Sequence, residues 1–271
     1  MKKILALLLA MFMLATLVAC GNDTNEENSL ESIKVAKDVF SNNDYGTFTY
    51  AVSADGHYEI TGYNLNTGAQ HEVVIPETIE DVLVTSIAAD AFKSCTSVTA
   101  VTIPDSVISI GDFAFYDCDK LAKVTLGSSI TSIGVGAFRG CDALTSITLP
   151  KNLSVISDQL FWDCVSLSEV VFPEAVTVIG VGAFYGCDAL EAVVIPSTVT
   201  EIKSTAFYGC DKLASVTVPE SVTTIGNAAF GAIGAEKVVF TAKKDSSFAT
   251  YFETAFAPNE DEYAHYELKL N

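Results

Sequence analysis

The chain has 271 residues, enough for one large domain or two ordinary ones and for a substantial core. Apolar residues make up 49% and charged residues 18%, which excludes a disordered tail protein. With 15 Lys and Arg against 34 Asp and Glu the formal charge is −19, so phosphate backbones are repelled and no nucleic-acid partner is expected. Three His and one Trp leave little material for metal or acid–base chemistry.

In chain order, Lys2 and Lys3 precede an apolar run from Ile4 to Ala19, followed by a fully polar stretch from Gly21 to Glu27. That pattern describes a secretory signal over residues 1–19, and its run of 16 residues falls short of the roughly 20 a spanning helix needs. The exit Leu17-Val18-Ala19-Cys20 resembles the bacterial lipobox. The resemblance implies that Cys20 becomes the first mature residue and carries a lipid anchor, so that the protein works in the cell envelope outside the cytoplasmic membrane; an ordinary cleaved signal is the alternative. Residues 20–47 read as the lipidated Cys and a tether, with a short helix over Leu30 to Phe40. Residues 48–72 alternate Tyr and Thr around Asp55-Gly56 and Asn66-Thr67-Gly68, which reads as a hairpin or two serving as an N-terminal cap.

From 73 to 240 a single repeat organises the chain. Cys95, Cys118, Cys141, Cys164, Cys187 and Cys210 stand 23 residues apart, and a Phe column from Phe92 to Phe230 keeps the same step three residues earlier. Pro104, Pro150, Pro173, Pro196 and Pro219 form a third column, with Gly127 in its one vacancy. Within a unit, Val124 and Leu126 alternate with Lys123 and Thr125 as a half-buried strand, which Gly or Pro ends. Ile130 and Ile133 supply a second inward edge, and Ala137-Phe138 reads as a short helical turn. One unit cannot bury enough apolar surface to offset the ordering of its backbone, so the units must stack as a solenoid of 23-residue coils with parallel strands. The first unit carries an insertion over Ile79 to Val84. Residues 241–271 mix Phe248, Phe252, Phe256, Tyr263 and Tyr266 with acids and read as a C-terminal cap.

The pattern LxxVxIPxSVxxIGxxAFxGCxxL resembles the leucine-rich-repeat subtype of BspA-like bacterial surface proteins, the Treponema pallidum type. The resemblance implies a β-rich (α+β) right-handed leucine-rich-repeat solenoid. It also implies a non-enzymatic role in adhesion or protein binding, with display outside the cell.

The candidate chemistry is sparse. The Cys column reads as small buried thiols, with disulfides or a metal as alternatives; no His lies between Val73 and Phe240 and no Cys-x-x-Cys occurs, so zinc has little support and no metal is assigned. Asp119, Asp142, Asp188 and Asp211 follow the Cys, and Asp117 and Asp163 precede it. Each reads as the cap of its own turn, with a calcium-binding carboxylate column as the alternative. The position after the anchoring Phe holds Tyr116, Arg139, Trp162, Tyr185 and Tyr208, an aromatic edge of the residue types enriched at binding hot spots, whose faces also suit sugars. A second candidate face is the outward strand column Thr102, Thr125, Thr148, Val171, Val194 and Thr217. No catalytic constellation is present: there is no Gly-x-Ser-x-Gly, no phosphate-cradling Gly loop and no His-Glu-x-x-His. No enzyme and no cofactor are expected. The expected partners are the membrane, through the anchor, and a host or bacterial surface protein or glycan, met by a monomer. The competing expectation is a structural or envelope-assembly lipoprotein with no soluble ligand.

Overall fold

The computed structural model describes residues 46–65, 70–256 and 263–271, and the backbone of Ala19–Cys20 and Ile33–Lys37. The secretory signal up to residue 18 and the tether at 21–29 lie outside them. Ala19–Cys20 is a two-residue strand antiparallel to Tyr63 and Asn64.

The repeat builds a solenoid of about eight turns. One face carries the strands His71–Val74, Val98–Thr102, Lys123–Thr125, Ser146–Thr148, Glu169–Val171, Ala192–Val194, Ser215–Val218, Val238–Ala242 and Tyr266–Leu270. The other carries Val82–Ile87, Ser109–Ile110, Ser132–Ile133, Val155–Ile156, Val178–Ile179, Glu201–Ile202 and Thr224–Ile225. Within each face the neighbours pair in parallel, and inside the repeats the partners are the 23-residue equivalents, as in Val124 with Val101 and Ile202 with Ile179. Toward the ends the offset widens, to 28 for Val73 with Val101 and for Val238 with Tyr266. A one-residue slip would turn every buried Val and Ile outward, so the apolar alternation sets the register. Pro and Gly then close a turn, Val199 N donating to Pro196 O and Ile130 N to Gly127 O.

The segment around each Phe forms a third ladder. It carries the i+3 to i bonds of the expected helical turn, such as Cys95 N to Phe92 O at 3.1 Å. Two residues per coil, two before and two after the Phe, nevertheless adopt positive φ: Phe113 and Asp117, Gly136 and Gly140, Gln159 and Asp163, Gly182 and Gly186, Thr205 and Gly209. This alternation aims successive N–H groups along the rod, so Phe115 N donates to Ala137 O and Phe161 N to Ala183 O, both at 2.8 Å. Here the earlier coil donates to the later. On the second strand face the later coil donates to the earlier, as in Gly134 N to Ile110 O at 2.8 Å. Each coil is thus bonded to its neighbours along the axis in both senses.

The core is a stack of rings. Phe92, Phe115, Phe138, Phe161, Phe184, Phe207 and Phe230 are all fully buried, with centroids 4.8–5.9 Å apart and planes within 23° of parallel. Each Cys packs beside this stack. Cys118, Cys141, Cys164, Cys187 and Cys210 donate their Sγ–H to the Phe carbonyl of the preceding coil at 3.0–3.2 Å.

The N-terminal cap corrects one expectation. Ile33–Lys37 is a strand, not part of a helix over Leu30 to Phe40, and pairs antiparallel with Gly46–Val52. Ile-Lys-Val-Ala-Lys alternates with period two and is β-branched, which favours a strand once a partner exists. Gly46–Val52 in turn forms a hairpin with Tyr58–Leu65 around Asp55-Gly56. Tyr58–Leu65 then continues in parallel onto Val82–Ile87, and His71–Val74 onto Val98–Thr102, so this region already winds as part of a coil. The insertion is a small hairpin, Thr78–Ile79 against Val82–Leu83, whose two turn residues Glu80 and Asp81 both have positive φ. At the other end the helix Ser247–Ala255, N-capped by Ser246, lays Phe248 edge-on against Phe230 and ends the ring stack.

Candidate functional site

The residue after each core Phe leaves the turn on the outer side of the third ladder, because the left-handed residues on either side reverse the backbone twice. These side chains lie in register at the coil spacing and stack on one another. Trp162 and Tyr185 are 4.0 Å apart and 10° from parallel, and Tyr185 and Tyr208 are 5.1 Å apart at 13°. The Arg139 guanidinium lies 5.1 Å from the Trp162 ring and 5.7 Å from Tyr116, and Lys93 caps the row 5.8 Å over Tyr116. Arg139 Nη1 donates to Gln159 Oε1 at 2.8 Å, which fixes its plane. All five predicted members of the column are thus brought together, and all are partly exposed.

The stacking settles which surface the edge presents. Between Tyr116 and Tyr208 the ring faces are occupied by neighbouring side chains, and Tyr208 itself lies against Gly231. Those faces are therefore turned to one another along the row, and its rims point away from the stack. Glycines make room for the row. A Cβ on Gly182 would lie 2.6 Å from Trp162 Cζ3, and one on Gly231 would lie 2.9 Å from Tyr208 Cδ2.

The second candidate column also lies outward on one strand face, with Val171 at 47% and Val194 at 69% exposure. Pairing on this face falls into three runs, broken between Thr125 and Ser146 and between Val171 and Ala192. Thr102 and Thr125 therefore lie in one run, Thr148 and Val171 in the next, and Val194 and Thr217 in the third. The face is interrupted where the stacked edge is continuous.

The carboxylates do not take the parts expected of them. Among the described residues, Asp119, Asp142, Asp188 and Asp211 form no side-chain hydrogen bond, and no group of three His, Cys, Asp or Glu is placed to hold a metal ion. Asp105, Asp112 and Asp158 do the capping instead, each accepting a backbone N–H from the next coil, at 2.6 Å from Ser128, 2.7 Å from Val135 and 2.8 Å from Val181. The signal for this was an Asp before the second strand, as at Asp105, or one residue past the small residue that ends it, as at Gly111-Asp112 and Ser157-Asp158. Partial burial, then repulsion from Asp119, Asp163 and Asp117, pushes the Asp142 carboxyl up; burial, then Asp211 and Asp163, does the same for Asp188.

The six Cys of the column are buried, and among the described residues none is joined in a disulfide. Burial holds the Cys164 and Cys210 thiols up at about 12 and those of Cys141 and Cys187 well above their ordinary range, so none is a nucleophile at neutral pH. At the first hairpin tip Ser53, Asp55 and His57 meet, but the serine hydroxyl donates to Asp55 at 2.5 Å and not to the imidazole. The carboxylate thus sits between the serine and the histidine, unlike the nucleophile–imidazole–carboxylate order of an activated serine.

A family model described as the BspA type leucine-rich repeat region matches residues 65–191 and 177–261, in six copies. Among solved structures, the leucine-rich repeat protein of Treponema pallidum is 34% identical over 66% of this chain and 83% of its own, with a TM-score of 0.60. A leucine-rich repeat protein from Bacteroides ovatus is 30% identical over 73% of this chain and 60% of its own, with a TM-score of 0.54. Among curated proteins no match is found.

Proposed function

The chain belongs to the BspA-type leucine-rich-repeat family, and on that premise we propose that it is a non-enzymatic binding protein of the bacterial cell surface that holds a partner protein against the stacked edge from Tyr116 to Tyr208. Repeat proteins of this family generally bind protein and are typically surface-associated. One observation carries the assignment to this edge. The Phe column is fully buried, whereas a second row of Tyr, Trp and Arg runs beside it partly exposed and without a break. These are the side chains that dominate protein interfaces, since each combines a rigid apolar body with a polar rim. Protein is favoured over glycan because sugars need free ring faces, and the inner rings of this row have none.

Attachment through a lipidated Cys20 completes the reading. Replacing Cys20 by Ser is expected to abolish incorporation of labelled fatty acid and to release the protein from the membrane fraction. Retention in the membrane without label would overturn the anchor. For the edge, the Trp162→Ala, Tyr185→Ala double variant is expected to lose saturable binding to immobilised matrix proteins while keeping a cooperative thermal transition. Full binding by the variant with a lowered melting temperature would make the row inter-coil glue and move the weight to a structural role in the envelope.

A further inference from the structure

Arg139 is the only arginine of the chain, and Trp162 beside it is the only tryptophan. The guanidinium lies between Tyr116 and Trp162 and is tethered by Gln159. One of its five N–H donors is thereby used, and the other four are left in a fixed plane. Thirty-four carboxylates are available in this chain. Lys93, Lys203, Lys237 and Lys243 each take one, Asp90, Asp158, Glu267 and Glu220 in turn. Among the described residues no carboxylate lies within ion-pair distance of Arg139, and its only hydrogen-bond partner there is a neutral amide. A guanidinium oriented on both faces and free along its rim matches a carboxylate through two parallel N–H···O bonds, a geometry a lysine cannot offer. The flanking rings lower the ordering cost of making that pair, because the side chain is already immobile before a partner arrives.

Resting on the reading of this edge as the binding site, we propose that Arg139 is its specificity-determining residue and takes an Asp or Glu side chain of the partner protein. The edge therefore selects an acidic segment whose neighbouring apolar side chains cover the rims of Trp162 and Tyr185. The overall charge of −19 opposes the approach of such a segment. That repulsion acts over distances beyond the Debye length of about 10 Å at 0.1 M salt and is screened, whereas the partly buried contact is screened less. Association with the edge is accordingly expected to quicken as salt is raised.

The test is selection of a randomised peptide display library on the full chain in mild detergent, followed by synthesis of the enriched peptides with blocked ends. Enriched peptides are expected to carry Asp or Glu, and their Glu→Gln and Asp→Asn forms to bind at least about tenfold more weakly, the loss expected at a charge-assisted pair in a hot spot. Arg139→Met, which keeps the apolar stem, should show the same loss; Arg139→Lys, which keeps the charge over both rings, should show a smaller one. Trp162 fluorescence reports each titration. Enrichment of Lys- or Arg-bearing peptides would overturn the proposal, as would affinities indifferent to the peptide carboxylate. Binding that survives Arg139→Met but fails in the Trp162→Ala, Tyr185→Ala variant would remove Arg139 and leave the edge standing. Enrichment equal on wild type and on that double variant would remove both.

Discussion

At the scale of single residues, the left-handed positions of the turn ladder decide what the edge can look like. Gly182 and Gly209 have nearly the same backbone, φ +58° and +69°. An added Cβ meets nothing nearer than 3.9 Å at Gly209 but lies 2.6 Å from the Trp162 ring at Gly182. Gly209→Ala should therefore cost only the left-handed backbone penalty, about 1 kcal/mol. Gly182→Ala should cost about 2–3 kcal/mol, because the ring must also move off its stack, and should shift the Trp162 emission. Equal costs in urea unfolding would show that the ring yields freely. Thr205 stands in the same column at φ +55° with a β-branched side chain, so Thr205→Gly should stabilise by about 1 kcal/mol. The column of Gly182 and Thr205 was not legible in the sequence, since Asp, Phe, Gly, Gln, Thr and Ala all occupy it and no residue type marks the backbone state, whereas the column of Gly209 holds mostly Gly and Asp. The Tyr116 to Tyr208 row was legible, because a Phe that points inward forces its successor outward. The closing of its ring faces was not, because it depends on the distance between coils.

The column is the natural element of this molecule, and the Cys column has a chemical signature. Its thiols are neutral in the folded state up to about pH 12 for Cys164 and Cys210, against an ordinary 9.0 once unfolded. Below pH 9 both states are protonated and the thiols add no pH dependence. Above it the unfolded chain releases protons that the folded chain retains, so stability falls as pH rises through that window. The slope should be about 1.4 kcal/mol per pH unit for each buried thiol. Alkaline unfolding curves of Cys164→Ala and Cys210→Ala variants should each lose that increment, and parallel curves would refute the assignment. The column itself could be read from spacing alone, because the period brings the same residue to the same place every 23 positions. The strand at Ile33–Lys37 escaped the same reading, since its partner lies at Gly46–Val52 and no repeat announces it. The capping carboxylates escaped for a related reason: an Asp that accepts from the next coil looks, in one dimension, like a turn residue.

At the scale of the whole molecule, a stack of identical rings has no intrinsic end, and both ends are stopped by aromatic residues that break the pattern. Phe48 tilts against Tyr63 and Phe92 at one end, and Phe240 and Phe248 meet Phe230 edge-on at the other. Phe248→Ala should cost about 3–5 kcal/mol and bring concentration-dependent aggregation, as light scattering would detect. A monodisperse variant of unchanged stability would show that the helix merely decorates the end. The bonds that join coil to coil all run along the rod, and that direction has a mechanical meaning. A tension applied between a membrane anchor and a bound partner would pull on these ladders in series, one coil at a time, and each coil that let go would release a 23-residue segment. A coil adds about 4.8 Å to the folded rod but roughly 75 Å once extended, so a stretched molecule should lengthen in steps of roughly 70 Å. If the chain is held at Cys20 and grips a partner by its edge, as proposed, it would act as a shock absorber under the drag of flowing liquid, lengthening before that grip is tested.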